Sequence, residues 1–155
     1  MPESLRERLI GAWDLVDVIE EPVDGSVPRR AHGRQPAGLF LYTPDGYMSA
    51  QIMQGDRPDV TSGDWSDLTP EEYAEEARTH FAYSGPFHVD EDRGLVGHSM
   101  VVSLIPGWVG QTQPRSVEID GDCLRLSAVE PALSGGVIVT TRLRWRRAAA
   151  AGAAE

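Results

Sequence analysis

Apolar and polar positions alternate along most of the chain in short runs that Gly, Pro and Asp interrupt, the pattern of an antiparallel all-β domain. Eight runs read as strands: Trp13 to Glu20, Gly38 to Thr43, Tyr47 to Met53, Tyr83 to Asp90, Leu95 to Leu104, Gln111 to Asp120, Cys123 to Ala128 and Val137 to Trp145. Thr43-Pro44-Asp45-Gly46-Tyr47 presets a tight hairpin, with Pro at the second turn position and Gly where φ is positive. Asp120-Gly121-Asp122 reads as another hairpin, and Asp90 to Gly94 as a looser third.

One stretch breaks the period of two. Thr69-Pro70-Glu71-Glu72 has the arrangement of a capping box with a first-turn proline, so a helix is expected from there to about Phe81. Its Tyr73, Ala74, Ala77 and Phe81 share one face, which is expected to cover something apolar. A shorter helical turn over Ser4 to Ile10 is expected to plug one end of the sheet. Gln54 to Leu68 reads as a loop. Residues 1–147 read as one domain, and the Ala-rich residues 148–155 as a flexible tail.

Eight antiparallel strands leave two exposed edges unless the sheet closes. Closure at this number gives a barrel wide enough for side chains or one small ligand. The fold expected is therefore an all-β, eight-stranded, up-and-down antiparallel barrel with one short helix between strands 3 and 4; a β-sandwich is the competitor.

Composition narrows the chemistry. All 14 cationic side chains are arginine, and the chain has no lysine, no asparagine and one cysteine, Cys123. Schiff-base catalysis, a phosphate-loop lysine, an internal disulfide and a four-ligand Cys/His zinc site are thereby struck out. The formal charge of −10 argues against nucleic acid and anionic membranes. No window approaches a membrane span, and the N-terminus lacks a signal peptide's apolar stretch, so a cytoplasmic location is expected. No metal site and no cofactor are expected, because the histidines fall in no metal-binding spacing and no dinucleotide fingerprint is present.

Several separate runs together resemble the bacterial lipocalin-like domain family. They are Leu9-Ile10-Gly11-Ala12-Trp13-Asp14-Leu15-Val16, Gly38 to Ser49 through the Pro-Asp-Gly turn, Tyr83-Ser84-Gly85-Pro86-Phe87, and Pro106-Gly107-Trp108-Val109-Gly110. The resemblance covers roughly Leu9 to Arg146 and implies an eight-stranded barrel with an internal cavity. It does not imply a settled activity. The Gly-x-Trp near the start also resembles the opening motif of true lipocalins, whose tryptophan closes the barrel base beneath a late arginine; Arg144 or Arg146 would be that arginine here. The missing signal peptide and disulfide separate this chain from secreted lipocalins.

Side-chain parity places the candidate site. Across the Pro-Asp-Gly turn, Leu41 pairs with Ser49 and Leu39 with Gln51, which leaves Phe40, Tyr42, Met48, Ala50 and Ile52 on the more apolar face, assigned to the lumen. On later strands Tyr83, Gly85, Phe87 and Val89 alternate together, as do Val96, His98, Met100, Val102 and Leu104. Gln113, Arg115, Val117 and Ile119 follow, then Leu124 with Leu126, then Val137, Val139, Thr141, Leu143 and Trp145. Apolar walls with a few polar insertions are the composition of a small-molecule site. His98 is the candidate acid or base, with a core histidine satisfied by backbone or tyrosine as the alternative. Tyr42 and Tyr83 are candidate donors to a carbonyl oxygen. Arg115 needs a partner, which is either a ligand's negative charge or Asp17, whose parity with Trp13 and Leu15 points it the same way.

The leading expectation is a cofactor-free isomerase, cyclase or dehydratase acting on a polyketide-like or terpenoid-like molecule in secondary metabolism. In that expectation His98, Tyr42, Tyr83 and Arg115 are catalytic, and Phe40, Met48, Ile52, Phe87, Met100, Val102, Val117, Val139 and Thr141 line the ligand. The alternatives are a passive carrier using the same cavity, and an interaction domain whose lumen is filled by its own side chains. An outward apolar strip beside the helix leaves room for a homodimer.

Overall fold

The computed structural model describes residues 1–60 and 62–152. In chain order its elements are α1 (Leu5–Leu9), β1 (Gly11–Pro22), β2 (Arg29–Arg30), β3 (Ala37–Tyr42), β4 (Tyr47–Met53), α2 (Pro70–Arg78), β5 (His80–Asp90), β6 (Leu95–Ser99), β7 (Val102–Ser103), a 3-10 turn at Pro106–Trp108, β8 (Thr112–Asp120), β9 (Cys123–Ala128), β10 (Ala132–Ser134) and β11 (Val137–Arg147). Antiparallel pairing runs β1, β3, β4, β5, β6, β8, β9, β11 and returns to β1, so eight strands close a barrel. Closure removes both long edges. The short β2, β10 and β7 extend the wall beside β1, β11 and β5.

The hairpin register is the one the alternation dictates. Leu39 pairs with Gln51 and Leu41 with Ser49, and Phe40, Tyr42, Met48, Ala50 and Ile52 are all buried. The lumen side of β11 carries Val139 and Trp145, and that of β9 carries Leu124 and Leu126, likewise buried. Apart from Val139, these side chains form one continuous core.

One end is sealed. Ser4 and Glu7 form the capping box of α1, and the Glu91 carboxylate accepts from the Leu5 and Arg6 amides, which fixes the helix under the β5–β6 turn. Buried Leu9 accepts at its carbonyl from Trp13 Nε1 at 2.9 Å. The arginine over Trp13 is Arg147, neither Arg144 nor Arg146. Its guanidinium lies 4.1 Å from the indole centroid and donates to the Ile10 and Arg8 carbonyls. Arg147 stands opposite Trp13 in the β1–β11 ladder, one step beyond the residues the alternation had bounded. Gly11 suits this position because its φ is +124°, a conformation that strains any other residue.

Two bulges overturn parts of the parity reading. In β1 the register against β11 slips between Leu15 and Asp17, so Val16 is an extra residue and the facing set switches. Asp17 consequently points away from Arg115. It sits opposite Arg144 on the outer face, whose Nε donates to its carboxylate at 3.1 Å. Glu20 takes an inward position opposite Thr141 instead.

The second bulge splits the expected strand Leu95 to Leu104. Phe87 faces His98, but Ser84 faces Val102, one residue out of step. Val102 and Leu104 therefore lie outside the lumen, with Val102 65% exposed. The chain crosses β5 at Gly85 on its way, where a Cβ would stand 1.8 Å from the Ser99 carbonyl oxygen.

The helix α2 also differs from expectation. It stops at Arg78, capped by Thr79, whose hydroxyl donates to the Glu75 carbonyl, and Phe81 belongs to β5 opposite Ile52. No residue of α2 is buried, and Tyr73, Ala74 and Ala77 are exposed. Three small or polar-tipped side chains offer too little apolar area to hold a face down. Arg57 fastens its end, donating to Thr79 Oγ1 at 3.0 Å and to the Glu76 carbonyl. Residues 148–152 carry no helix or strand, and 153–155 of the expected tail lie outside the described residues.

Candidate functional site

The lumen's centre is an aromatic cage with one imidazole. Phe40 and Tyr42 stack at 4.5 Å, and the Phe40 ring also meets Tyr83 edge-on and His98 at 5.2 Å. Alternation on β3, β5 and β6 aims these rings inward, and the closed ladder brings them together. The Tyr42 hydroxyl and His98 Nε2 lie 2.7 Å apart, both side chains buried. His98 Nδ1 has no hydrogen-bond partner and no solvent contact. Such an atom costs about 1–3 kcal/mol when left unsatisfied.

Burial, then the charge of Arg115, holds His98 down to about 3, so the ring is neutral at physiological pH. Burial likewise lifts Tyr42 well above an ordinary phenol and raises Tyr83, with Arg115 working against both shifts. The neutral imidazole is a weak base and the phenol a weak acid. The pair is suited to holding hydrogen bonds.

Arg115 sits on β8 opposite Val96, on the inward side. Its Nη2 donates to Gln113 Oε1 at 2.8 Å and its Nη1 to the Pro114 carbonyl at 2.9 Å. It has no carboxylate partner among the described residues. Of the expected lining, Phe40, Met48, Ile52, Phe87, Met100 and Val139 are buried in the barrel, Val117 and Thr141 are half-buried on the inward side, and Val102 is outside.

Alternation leaves Phe81 and Glu20, above the cage, out of the lumen set, whereas Trp108 is expected from the sequence as packing that closes a barrel end. Phe81 continues the inward set of β5, and Trp108 packs over it at 5.1 Å and over Tyr83 at 6.4 Å, covering the cage from the end opposite α1. The period of two from Phe81 through Val89 was the available signal, masked by assigning Phe81 to the helix. Glu20 is buried near the same end and held by Arg29 at 3.0 Å, and Arg29 also donates to the Ser134 carbonyl. Half-buried His32 faces this pair, its pKa lowered by burial and partly restored by Glu20. Two clefts of about 180 and 230 Å³, beside Arg57 and around Val16, lie on the outer surface away from the cage.

Comparison with known proteins matches residues 10–148 to the lipocalin-like domain family. The chain belongs to that family. Its closed eight-stranded barrel is the expected architecture of a lipocalin-like domain. A relative in Aspergillus oryzae, named a 4'-hydroxy-3'-methoxypropiophenone carrier protein, is 37% identical over 106 residues, which span 64% of this chain and 96% of the relative. Family and relative together support small-molecule binding by this lipocalin-like protein. Among the described residues no helix is long and apolar enough to cross a membrane.

Proposed function

We propose that this protein is a carrier that holds a compact, largely apolar, oxygen-bearing molecule inside its barrel. The observation that carries this reading is the buried Tyr42–His98 pair, which keeps an unpartnered Nδ1 within an aromatic cage beside Arg115. Apolar walls with a few fixed polar groups orient such a ligand. The ligand named for the relative is a methoxyphenol with an aryl ketone on one ring, a fit in chemical kind to stacking rings and hydroxyl donors. Entry requires Trp108 and Tyr83 to move aside, since the cage is closed by ring contacts.

A second reading keeps the cage and adds chemistry: isomerisation, cyclisation or dehydration of a polyketide-like or terpenoid-like substrate without a cofactor. The short Tyr42–His98 contact favours it, because a phenol and an imidazole in line can pass a proton. Against it stands the weak basicity of His98. One experiment separates the two. Titrating the protein with 4'-hydroxy-3'-methoxypropiophenone, followed by tryptophan fluorescence, is expected to give saturable one-site binding, with the ligand recovered unchanged by chromatography and mass spectrometry. Recovery of an isomerised or dehydrated product from wild type but not from His98→Phe would replace the carrier reading with the enzymatic one. Absence of saturation would remove the carrier reading.

A further inference from the structure

The hydrogen-bond inventory of the lumen does not balance. Tyr42 and the neutral His98 carry two mobile hydrogens and share one hydrogen bond. If Tyr42 donates to Nε2, the Nδ1–H is left without an acceptor. If Nε2–H donates, the Tyr42 O–H is left over. One donor remains in either tautomer. Tyr83 adds a hydroxyl that forms no hydrogen bond among the described residues, and its ring lies 5.9 Å from that of His98.

The charges do not balance either. Of the groups that face the lumen, Glu20 on β1 is neutralised by Arg29 on β2, with His32 beside them at the mouth. Tyr42 on β3, Tyr83 on β5 and His98 on β6 are uncharged. The lumen sides of β4 and β9 carry no ionisable group, and Arg147 on β11 is spent at the sealed base, over Trp13 and bonded to the Ile10 and Arg8 carbonyls. Arg115 on β8 is the remainder, a half-buried guanidinium with one edge toward solvent, whose protein partners are a neutral amide and a backbone carbonyl. A cation without a carboxylate partner among the described residues, beside spare donors, is complementary to an oxygen anion, and a charge-assisted hydrogen bond is the strong kind.

We propose that the lumen takes its ligand as an oxyanion, a conjugated phenolate or enolate whose oxygen is held by Arg115 and by the spare donor of the Tyr42–His98 pair. This rests on the carrier reading and names the ionisation state of its ligand. Burial alone opposes the charged form, as it does for Tyr42 and Tyr83. The ligand differs from those fixed side chains in two respects. Its oxygen is free to approach the guanidinium directly, and a carbonyl conjugated to the ring delocalises the negative charge. Arg115 is therefore the residue that selects the acidic oxygen, and a ligand lacking one forfeits it.

The test is spectroscopic, because the phenolate of a hydroxyaryl ketone absorbs at longer wavelength than the phenol. 4'-Hydroxy-3'-methoxypropiophenone and its non-ionisable methyl ether, 3',4'-dimethoxypropiophenone, are each titrated with wild type and with Arg115→Gln, and ionisation is followed against pH. Wild type is expected to lower the midpoint of the bound phenol by about one unit, tenfold in the ionisation equilibrium. Arg115→Gln is expected to abolish that shift and to weaken binding of the phenol more than binding of the ether. If the midpoint of the phenol bound to wild type equals or exceeds that of the free phenol, the oxyanion proposal is overturned and the carrier reading stands. If wild type binds neither compound, the carrier reading falls with it. Circular dichroism of Arg115→Gln establishes its fold, and the wild-type midpoint decides the proposal by itself.

Discussion

At His98 two opposed demands meet: a polar ring fully removed from water, and a hydrogen-bond partner for one of its nitrogens only. The consequence is linkage between its protonation and folding. In the unfolded chain this histidine takes a proton below its ordinary value of 6.5, whereas in the barrel it stays neutral down to about 3. Over that window the unfolded state binds more protons, so stability rises with pH. The contribution is complete above 6.5 and is lost as pH falls toward 3, at up to about 1.4 kcal/mol per pH unit. His98→Phe is expected to flatten the acid limb of a plot of urea-unfolding free energy against pH between 6.5 and 4, while the contributions of His32 and His80, of the same sign, persist. Equal slopes in the two proteins would mean that His98 is charged in the fold. The alternation had put His98 in the lumen and left its role open between acid–base group and satisfied core residue. The structure gives it Tyr42 at one nitrogen and nothing at the other, a distinction that depends on a cross-barrel contact between β3 and β6, 56 positions apart.

Among elements, the strands were legible wherever the period of two ran unbroken. The β3–β4 hairpin, with Pro44 and Gly46 setting its turn, is paired residue for residue as its alternation required. Errors cluster at the bulges. Each inserts one residue, and one residue is enough to move every later side chain to the opposite face. Asp17 and Val102 were both misplaced for this reason, and Glu20 was overlooked for it. No propensity marks Val16 as extra. The second bulge does leave a trace, since Gly85 in the middle of β5 is the glycine of a close backbone approach. Gly85→Ala would force a Cβ onto the Ser99 carbonyl, and a destabilisation of about 3 kcal/mol is expected by denaturant unfolding. Gly107→Ala, in open space, is the control and is expected to stay within about 0.5 kcal/mol. A tolerated Gly85→Ala would show that the β5–β7 crossing is pliable. The helix α2 was legible at its start, where Thr69 and Glu72 complete the capping box, and not at its end, where the pull of β-pairing on His80 and Phe81 outweighs helical spacing.

For the molecule as a whole, closure between β1 and β11 brings the first and last strands together, and the base seal is built across that seam. Arg147 links them through Trp13 and the carbonyls of Arg8 and Ile10. Its replacement by methionine keeps the aliphatic stem and removes the cation, and a loss of about 2 kcal/mol is expected from urea titration, combining cation–π and charged hydrogen-bond terms. Arg146→Met, on the exposed neighbour, is expected to change little. Similar losses for both would place the seal elsewhere. Chain closure was legible as a solution to the edge problem, but the residue that locks it was not. The arginines ending the last strand are alike in sequence, and the ladder register alone decides which one reaches Trp13.

The sealed base leaves the barrel one closed end. With α1, Trp13 and Arg147 stopping one end, the carrier reading requires a guest to pass the rings of Trp108 and Tyr83 in both directions. A guest that enters leading with its oxygen must leave trailing it, its apolar end emerging first. That end meets the exposed side chains of Val101, Val102 and Val109 around that passage, so any receiver is presented with grease before charge.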